Sequence, residues 1–268
     1  MIINSQRTIY GLEYVTSKIA GDNHVARPNT TLNEKHGILP TAKAPAGTDL
    51  GIKYLAIGIG GNNPVAGINE YSYSQHGIRD AALFQQVPFV MRTAAQDLTA
   101  TEQALYKHRV SRTVSGVQYF LYYLKVLQPM DISRETYIIT PAAAGPSSLS
   151  VFTTDTPAHL NPVSRATNRV PTNDNGYISA MIKIKFSLTP AEMQDIQNAI
   201  DLLYGTGSNK ILTEIGVCGG AEASPGGEAV EVQIHYHVGT GIDIPLIYNP
   251  TTGYSRAIEI GGSEPLYA

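Results

Sequence analysis

His235 and His237 lie two apart in the run Glu228 to Val238, where Val230, Val232, Ile234 and Tyr236 alternate with Glu231, Gln233, His235 and His237. That alternation predicts a strand with one apolar and one wet face. Side chains two apart on a strand project from the same face, so the two imidazoles are close enough to share a metal ion. A zinc site needs a third protein ligand, and Glu231 lies ~13 Å from His235 at strand rise, so another strand would have to supply it. His24, His36, His76, His108 and His159 are scattered over predicted loops and helix ends. The expected role for the histidines is therefore at solvent or at a subunit contact, with no metal bound.

The run Gly58-Ile59-Gly60-Gly61 follows a predicted strand, as a dinucleotide-binding turn would. Its spacing is not G-x-G-x-x-G, and Pro64 and Gly67 interrupt the helix that should follow. The alternative is a strand ending in a tight turn that backbone or a partner approaches closely. Cys218 is the lone cysteine and has no Cys-His-Asn signature around it, so it reads as a small buried apolar residue. Asp243 and Glu259 can be drawn as a carboxylate pair, but spacing alone does not fix their separation. Serine hydrolase, kinase, P-loop and HExxH patterns are absent. The expectation is no catalytic residue, no cofactor-binding residue, no cofactor and no metal.

The elements that must position these residues are mostly strands. Lys53 to Gly61, Val87 to Arg92, Arg134 to Thr140, Tyr177 to Ser187, Lys210 to Cys218, Glu228 to Val238 and Ser255 to Ile260 each read as one. Residues 109–127 form the longest strand-like stretch, with Gly116 at its middle. Thr99-x-x-Glu102 is a capping box that predicts a helix over 100–107. Thr189-Pro190-x-Glu192, followed by Met193, Ile196, Ile200 and Leu203 at helical spacing and by Gly205, predicts a helix over 190–204. The fold class is thus α+β and mainly β, with antiparallel, sandwich-like sheets, two short helices, long ordered loops and an arm. The chain divides into an extended N-terminal arm (1–49), a β-rich half with a short helix (50–140), a loop or linker (141–176) and a second β-rich half holding helix 190–204 (177–268). Strand, Leu-Thr-x-x-Glu helix and strand recur at 87–126 and 177–218, a spacing that permits an internal duplication.

With 268 residues, 43% of them hydrophobic, the chain can bury a real core. A net charge of -3 and the lack of any Lys/Arg run longer than a pair leave no footprint for nucleic acid. The start, Met1-Ile2-Ile3-Asn4, does not read as a signal peptide, and no apolar run is long enough to span a membrane, so synthesis in a cytoplasm is expected. Only 15% of residues are charged, against roughly 25% in an average domain, whereas tyrosines number sixteen and Trp is absent. Tyrosine is an interface residue, offering rigid contact area with a polar tip. Ile2, Ile3, Tyr10, Tyr71, Tyr73, Tyr248, Tyr254 and Tyr267 are the candidate contacts. Residues 22–49 and 141–176 lack the periodicity to order themselves, which suggests that neighbouring subunits hold them.

Lys210-Ile211-Leu212-Thr213-Glu214-Ile215-Gly216-Val217 resembles the I-T-E-I-G strand that recurs in adaptor and tail-appendage proteins of tailed bacteriophages. The Leu-Thr-x-x-Glu helix ending in Leu203-Tyr204-Gly205, the closing Ile258 to Leu266, and Val87 to Arg92 followed by Asp97-Leu98-Thr99 resemble the same kind of virion protein. The likeness spans residues 50–130 and 177–268. It implies a non-enzymatic structural subunit of a contractile-tailed phage, in the baseplate or the neck and collar. Its partners would be copies of itself in a symmetric ring and other virion proteins, with no direct nucleic acid and no membrane. It would reside in the virion after synthesis in the host cytoplasm. The alternative is a carbohydrate- or receptor-binding or fibre-attachment domain of the tail, using the loops at 60–76 and 219–227.

Overall fold

The computed structural model describes residues 5–38, 43–64, 71–142, 147–152, 177–208, 210–223, 228–246 and 253–265. In chain order the elements begin with β1 (Ser5–Arg7), α1 (Ile9–Ala20), α2 (Leu32–His36), β2 (Ile52–Gly58), β3 (Asn62–Pro64), β4 (Tyr71–Tyr73), β5 (Gln86–Val87) and β6 (Val90–Thr93). They continue with α3 (Ala100–Gln103), β7 (Tyr106–Val114), β8 (Val117–Val126), β9 (Ile132–Thr140), β10 (Ser148–Val151) and β11 (Tyr177–Leu188). The last are α4 (Pro190–Tyr204), β12 (Ile211–Glu222), β13 (Ala229–Pro245) and β14 (Tyr254–Pro265). The protein is α+β and mainly β, and its sheets are antiparallel.

Two compact units arise, one from residues 1–128 and 187–255, the other from 129–186 and 256–268. The first is built on a sheet in the order β1-β13-β12-β2-β8-β6, with β5 added to β2 and β7 to β8. Tyr54, Ala56, Leu124, Cys218, Val232 and Ile234 form its core, with Leu32 of α2 and Leu83 packed among them. The second is a sheet in the order β10-β9-β11-β14. Ile184, Phe186, Ile258 and Ile260 are buried there, while Lys183 on β11 bonds Glu135 on β9 at 2.6 Å. A separate ladder joins β3 to β4.

Helix α4 spans the residues its capping box predicts: the Glu192 amide donates to Thr189 Oγ1, and the Thr189 amide donates back to the Glu192 carboxylate. Elsewhere the structure departs from the sequence reading. The stretch 109–127 is a hairpin, because Ser115 and Gly116 both take positive φ (49° and 81°), the backbone a two-residue turn between twisted strands requires. Helix α3 stops at Gln103, and Tyr106 already pairs with Lys125, so the box caps a single turn. Residues 219–222, expected in a loop, continue β12 to Glu222.

The expected extended arm carries two helices where it is described. Thr8 caps α1, Thr31 and Glu34 form a capping box on α2, and both helices pack on β13. The chain's own sheet holds residues 24–36, contrary to the expectation that a neighbour must order them: His24 and Thr30 bond Gln233, and Asn33 bonds the β13 backbone.

Candidate functional site

Glu214 stands in the middle of an apolar strand and is 2% exposed. A carboxylate so placed must be satisfied by donors, since an unpaired buried charge is strongly unfavourable. It accepts from the amides of Gly60 (2.9 Å), Phe84 (2.8 Å) and Gln85 (3.2 Å) and from His76 Nε2 (2.8 Å). Burial alone would raise its pKa, but these hydrogen bonds outweigh burial and hold the carboxyl below the usual range. This is why the turn at 58–61 is glycine-rich. A Cβ on Gly58 would lie 2.5 Å from Glu214 Oε2, and one on Gly60 would lie 2.7 Å from the Gln85 amide nitrogen. The amide of Gly60 points at an internal carboxylate where a dinucleotide turn would hold a phosphate.

The pairing of β12 with β13 shifts register at three places, and at two of them the N-terminal segment fills a bulge. In the first, Glu231 and Val232 together oppose Gly220, and Glu231 takes φ 50°. Asn33 of α2 fills it: its Nδ2 donates to the Ala229 carbonyl and its Oδ1 accepts from the Val232 amide, both at 2.9 Å. In the second, Val217 pairs with Tyr236 and Cys218 with Ile234, which leaves His235 as the extra residue. Thr8 fills that one, its amide donating to the His235 carbonyl (2.9 Å) and its hydroxyl to Ile234 (2.6 Å). Backbone groups that the bulges free from the ladder are thus satisfied by the N-terminal segment.

The second bulge separates His235 from His237. Neither is at solvent; each is 1% exposed, which corrects the expected wet face. The N-terminal segment and residues 76–85 bury it. Six of the seven histidines meet in three couples, each joining a sheet strand to a segment lying on it. His24 lies 6.1 Å from His235, His76 stacks on His237 at 3.8 Å with planes 8° apart, and His36 lies 5.6 Å from His108. The seventh, His159, lies outside the described residues.

Burial pulls the imidazoles of His108 and His235 down to about 3 and that of His237 down to about 4. All three are neutral at pH 7. Neither ring nitrogen of His108 or His235 has a hydrogen-bond partner among the described residues, whereas His237 Nε2 donates to the Asp80 carbonyl. His235 instead stacks on Tyr14 of α1 at 4.9 Å, and a Cβ on Gly219 would collide with its ring. Among the described residues no group of three or more His, Cys, Asp or Glu is arranged to hold a metal ion.

Other ionisable groups pair nearby. Lys125 and Tyr106 both donate to Glu192 Oε1 at 2.6 Å, and Arg92 grips Asp195 of α4 with both terminal nitrogens. Asp97 holds Arg109 and accepts from Tyr122. An open cleft of 280 Å³ lies beside them, lined by Gln103, Tyr106, Lys107, Arg109, Tyr122 and Glu228 among others. Its cations are engaged, Lys107 by Glu222 and Arg109 by Asp97.

Of the candidate contacts, Tyr10 is 8% exposed, and its hydroxyl donates to the Arg79 carbonyl, so it anchors α1 inside the chain rather than meeting a partner. Tyr71 and Tyr73 form β4, and Tyr254 begins β14 half-buried. Ile2, Ile3, Tyr248 and Tyr267 lie outside the described residues. Asp243 is in β13 and Glu259 in β14. Cys218 is buried, as expected, and burial pushes its thiol up. The sequence reading missed Glu214, Asn33 and Thr8 as positioning residues. A glutamate within the apolar run Ile211 to Cys218 was the available signal for the first; the other two act on bulges that have no sequence signature.

These features define a mainly β protein whose central polar side chains are closed off from solvent and hold its own segments together. Residues 2–268 match a family described as a family of unknown function, DUF7208, and the chain belongs to it. No curated protein and no solved structure matches the chain.

Proposed function

We propose that this protein is a non-enzymatic structural subunit of a tailed-phage particle, assembling through subunit contacts into a symmetric ring of the baseplate or neck. The observation that carries this reading is the second unit's apolar edge. Among the described residues β10 ends its sheet, and its Leu149 and Val151 are 59% and 64% exposed on the same side of the strand. Met130, in the same unit, is 88% exposed. An edge strand that shows apolar side chains and unpaired backbone groups is a template for pairing with another chain. The polar groups of the central sheet support the same reading from the other side, since they serve internal contacts.

The test is light scattering after size-exclusion chromatography, with electron microscopy of the assembled material. Wild-type protein should form a closed oligomer. Leu149→Glu with Val151→Glu should leave a folded monomer by circular dichroism. A wild-type chain that stays monomeric at high micromolar concentration and takes no place in particles would refute the proposal.

A further inference from the structure

Two of the three histidine couples share one arrangement. His24 and His36 lie in the segment 8–36, which carries α1 and α2, and their partners His235 and His108 lie on β13 and β7. We propose that residues 8–36 are an acid-released cover, held shut by the couples His24/His235 and His36/His108 and opened when His235 and His108 take up protons.

The surroundings of each couple offer little to stabilise a second charge. Around His235 stand Tyr14 and His24 from the covering segment, Gly219 from β12 and the Leu50 carbonyl. Asp49, which meets Tyr14 on that side, already accepts from the Tyr14 hydroxyl and pairs with Lys18 at 2.8 Å. Around His108 stand His36, with Lys35 beside it on α2, and Tyr123 of β8, on which His36 stacks. Lys107 and Arg109 flank it on β7, each with its own carboxylate. His36 Nε2 donates to Gln86 and His24 Nε2 to Gln233. The third couple differs: His76 has Glu214 at 2.8 Å and Asp80 at 3.5 Å, so counter-charges stand beside it.

The direction follows from where protons bind. An imidazole released to water takes a proton below about 6.5, whereas in the closed cover His235 and His108 stay neutral down to about 3. Acid therefore favours the open form. At pH 5 each of the two lowers the closed-to-open ratio about 30-fold relative to pH 8. The capping carboxylate of α2, Glu34, is held below its usual range by the amides of Asn29, Thr31 and Thr30, so it stays ionised at pH 5. Opening would remove Thr8 and Asn33 from the two bulges, leaving those backbone groups of β13 free to pair elsewhere.

The test is hydrogen–deuterium exchange of the whole chain at pH 7.5 and pH 5, corrected for intrinsic rates and compared with His108→Phe/His235→Phe. In wild type, amides of 8–36 and of 232–238 should lose at least 30-fold in protection at pH 5 and should stay less protected than those of β2 and α4. The double variant, which cannot take up these protons, should retain that protection. One common protection factor in all elements at pH 5, the mark of global unfolding alone, or no loss in 8–36, would overturn the proposal. So would a variant that is protected like wild type at pH 7.5 and opens equally at pH 5. Should the double variant not fold, His235→Phe alone serves, since that ring has a stacking contact and no hydrogen bond to lose.

Discussion

Glu214 and the glycines facing it act as one unit: the carboxylate needs amide donors at short range, and the amides are reachable only where no Cβ intervenes. Removing the acid leaves the amides of Gly60, Phe84 and Gln85 without their acceptor, and the buried His76 Nε2 without its carboxylate. Glu214→Ala is therefore expected to cost about 3–5 kcal/mol, the range for breaking a buried pair from one side, measured by urea unfolding at pH 7.5. A loss under 1 kcal/mol would mean that the carboxylate is dispensable to these segments. The sequence showed the oddity here, a charge inside an apolar strand, but not the donors, which come from residues more than 120 positions away.

At the scale of elements, capping was the most legible feature. Thr189-Pro190-x-Glu192 placed α4 at both ends because the box, the proline and the helical spacing agree locally. The hairpin of β7 and β8 was hidden because strand-forming residues continue on both sides of its turn, with Ser115-Gly116 as the mark. Gly116→Ala forces a side chain into φ 81° and should destabilise by about 1 kcal/mol, read as a lower urea midpoint at unchanged slope. An unchanged midpoint would contradict the turn. The bulges on β13 were illegible, since inserting one residue in a ladder alters no composition, yet it redirected His235 and His237 into separate couples.

Over the whole molecule, the buried histidines and the hydrogen-bonded carboxylates push stability in the same direction with pH. A histidine whose folded pKa lies below its unfolded value contributes fully above about 6.5 and loses that contribution as pH falls, while Glu214 and Glu192, held low, lose theirs only as pH falls from the usual carboxylate range towards their lowered values. Unfolding free energy should therefore fall between pH 7.5 and pH 5, by about 2 kcal/mol for each of His108 and His235. Urea melts at the two pH values check this; a flat profile would mean that these rings are not buried neutral. The second unit's apolar edge is a property of the same scale, since it depends on which strand ends the sheet.

By itself the sequence determined the mainly β class, the capped helix α4, the interior place of Cys218 and the glycine-rich turn where something approaches closely. Each rests on local periodicity or on backbone requirements of neighbouring residues. Only the tertiary structure decided that the approaching group is Glu214, that the N-terminal segment folds onto β13, and that the wet face of that strand is sealed. Those outcomes depend on contacts as distant in sequence as Ser5 with Val238 and on bulges, which alternation in one strand cannot encode.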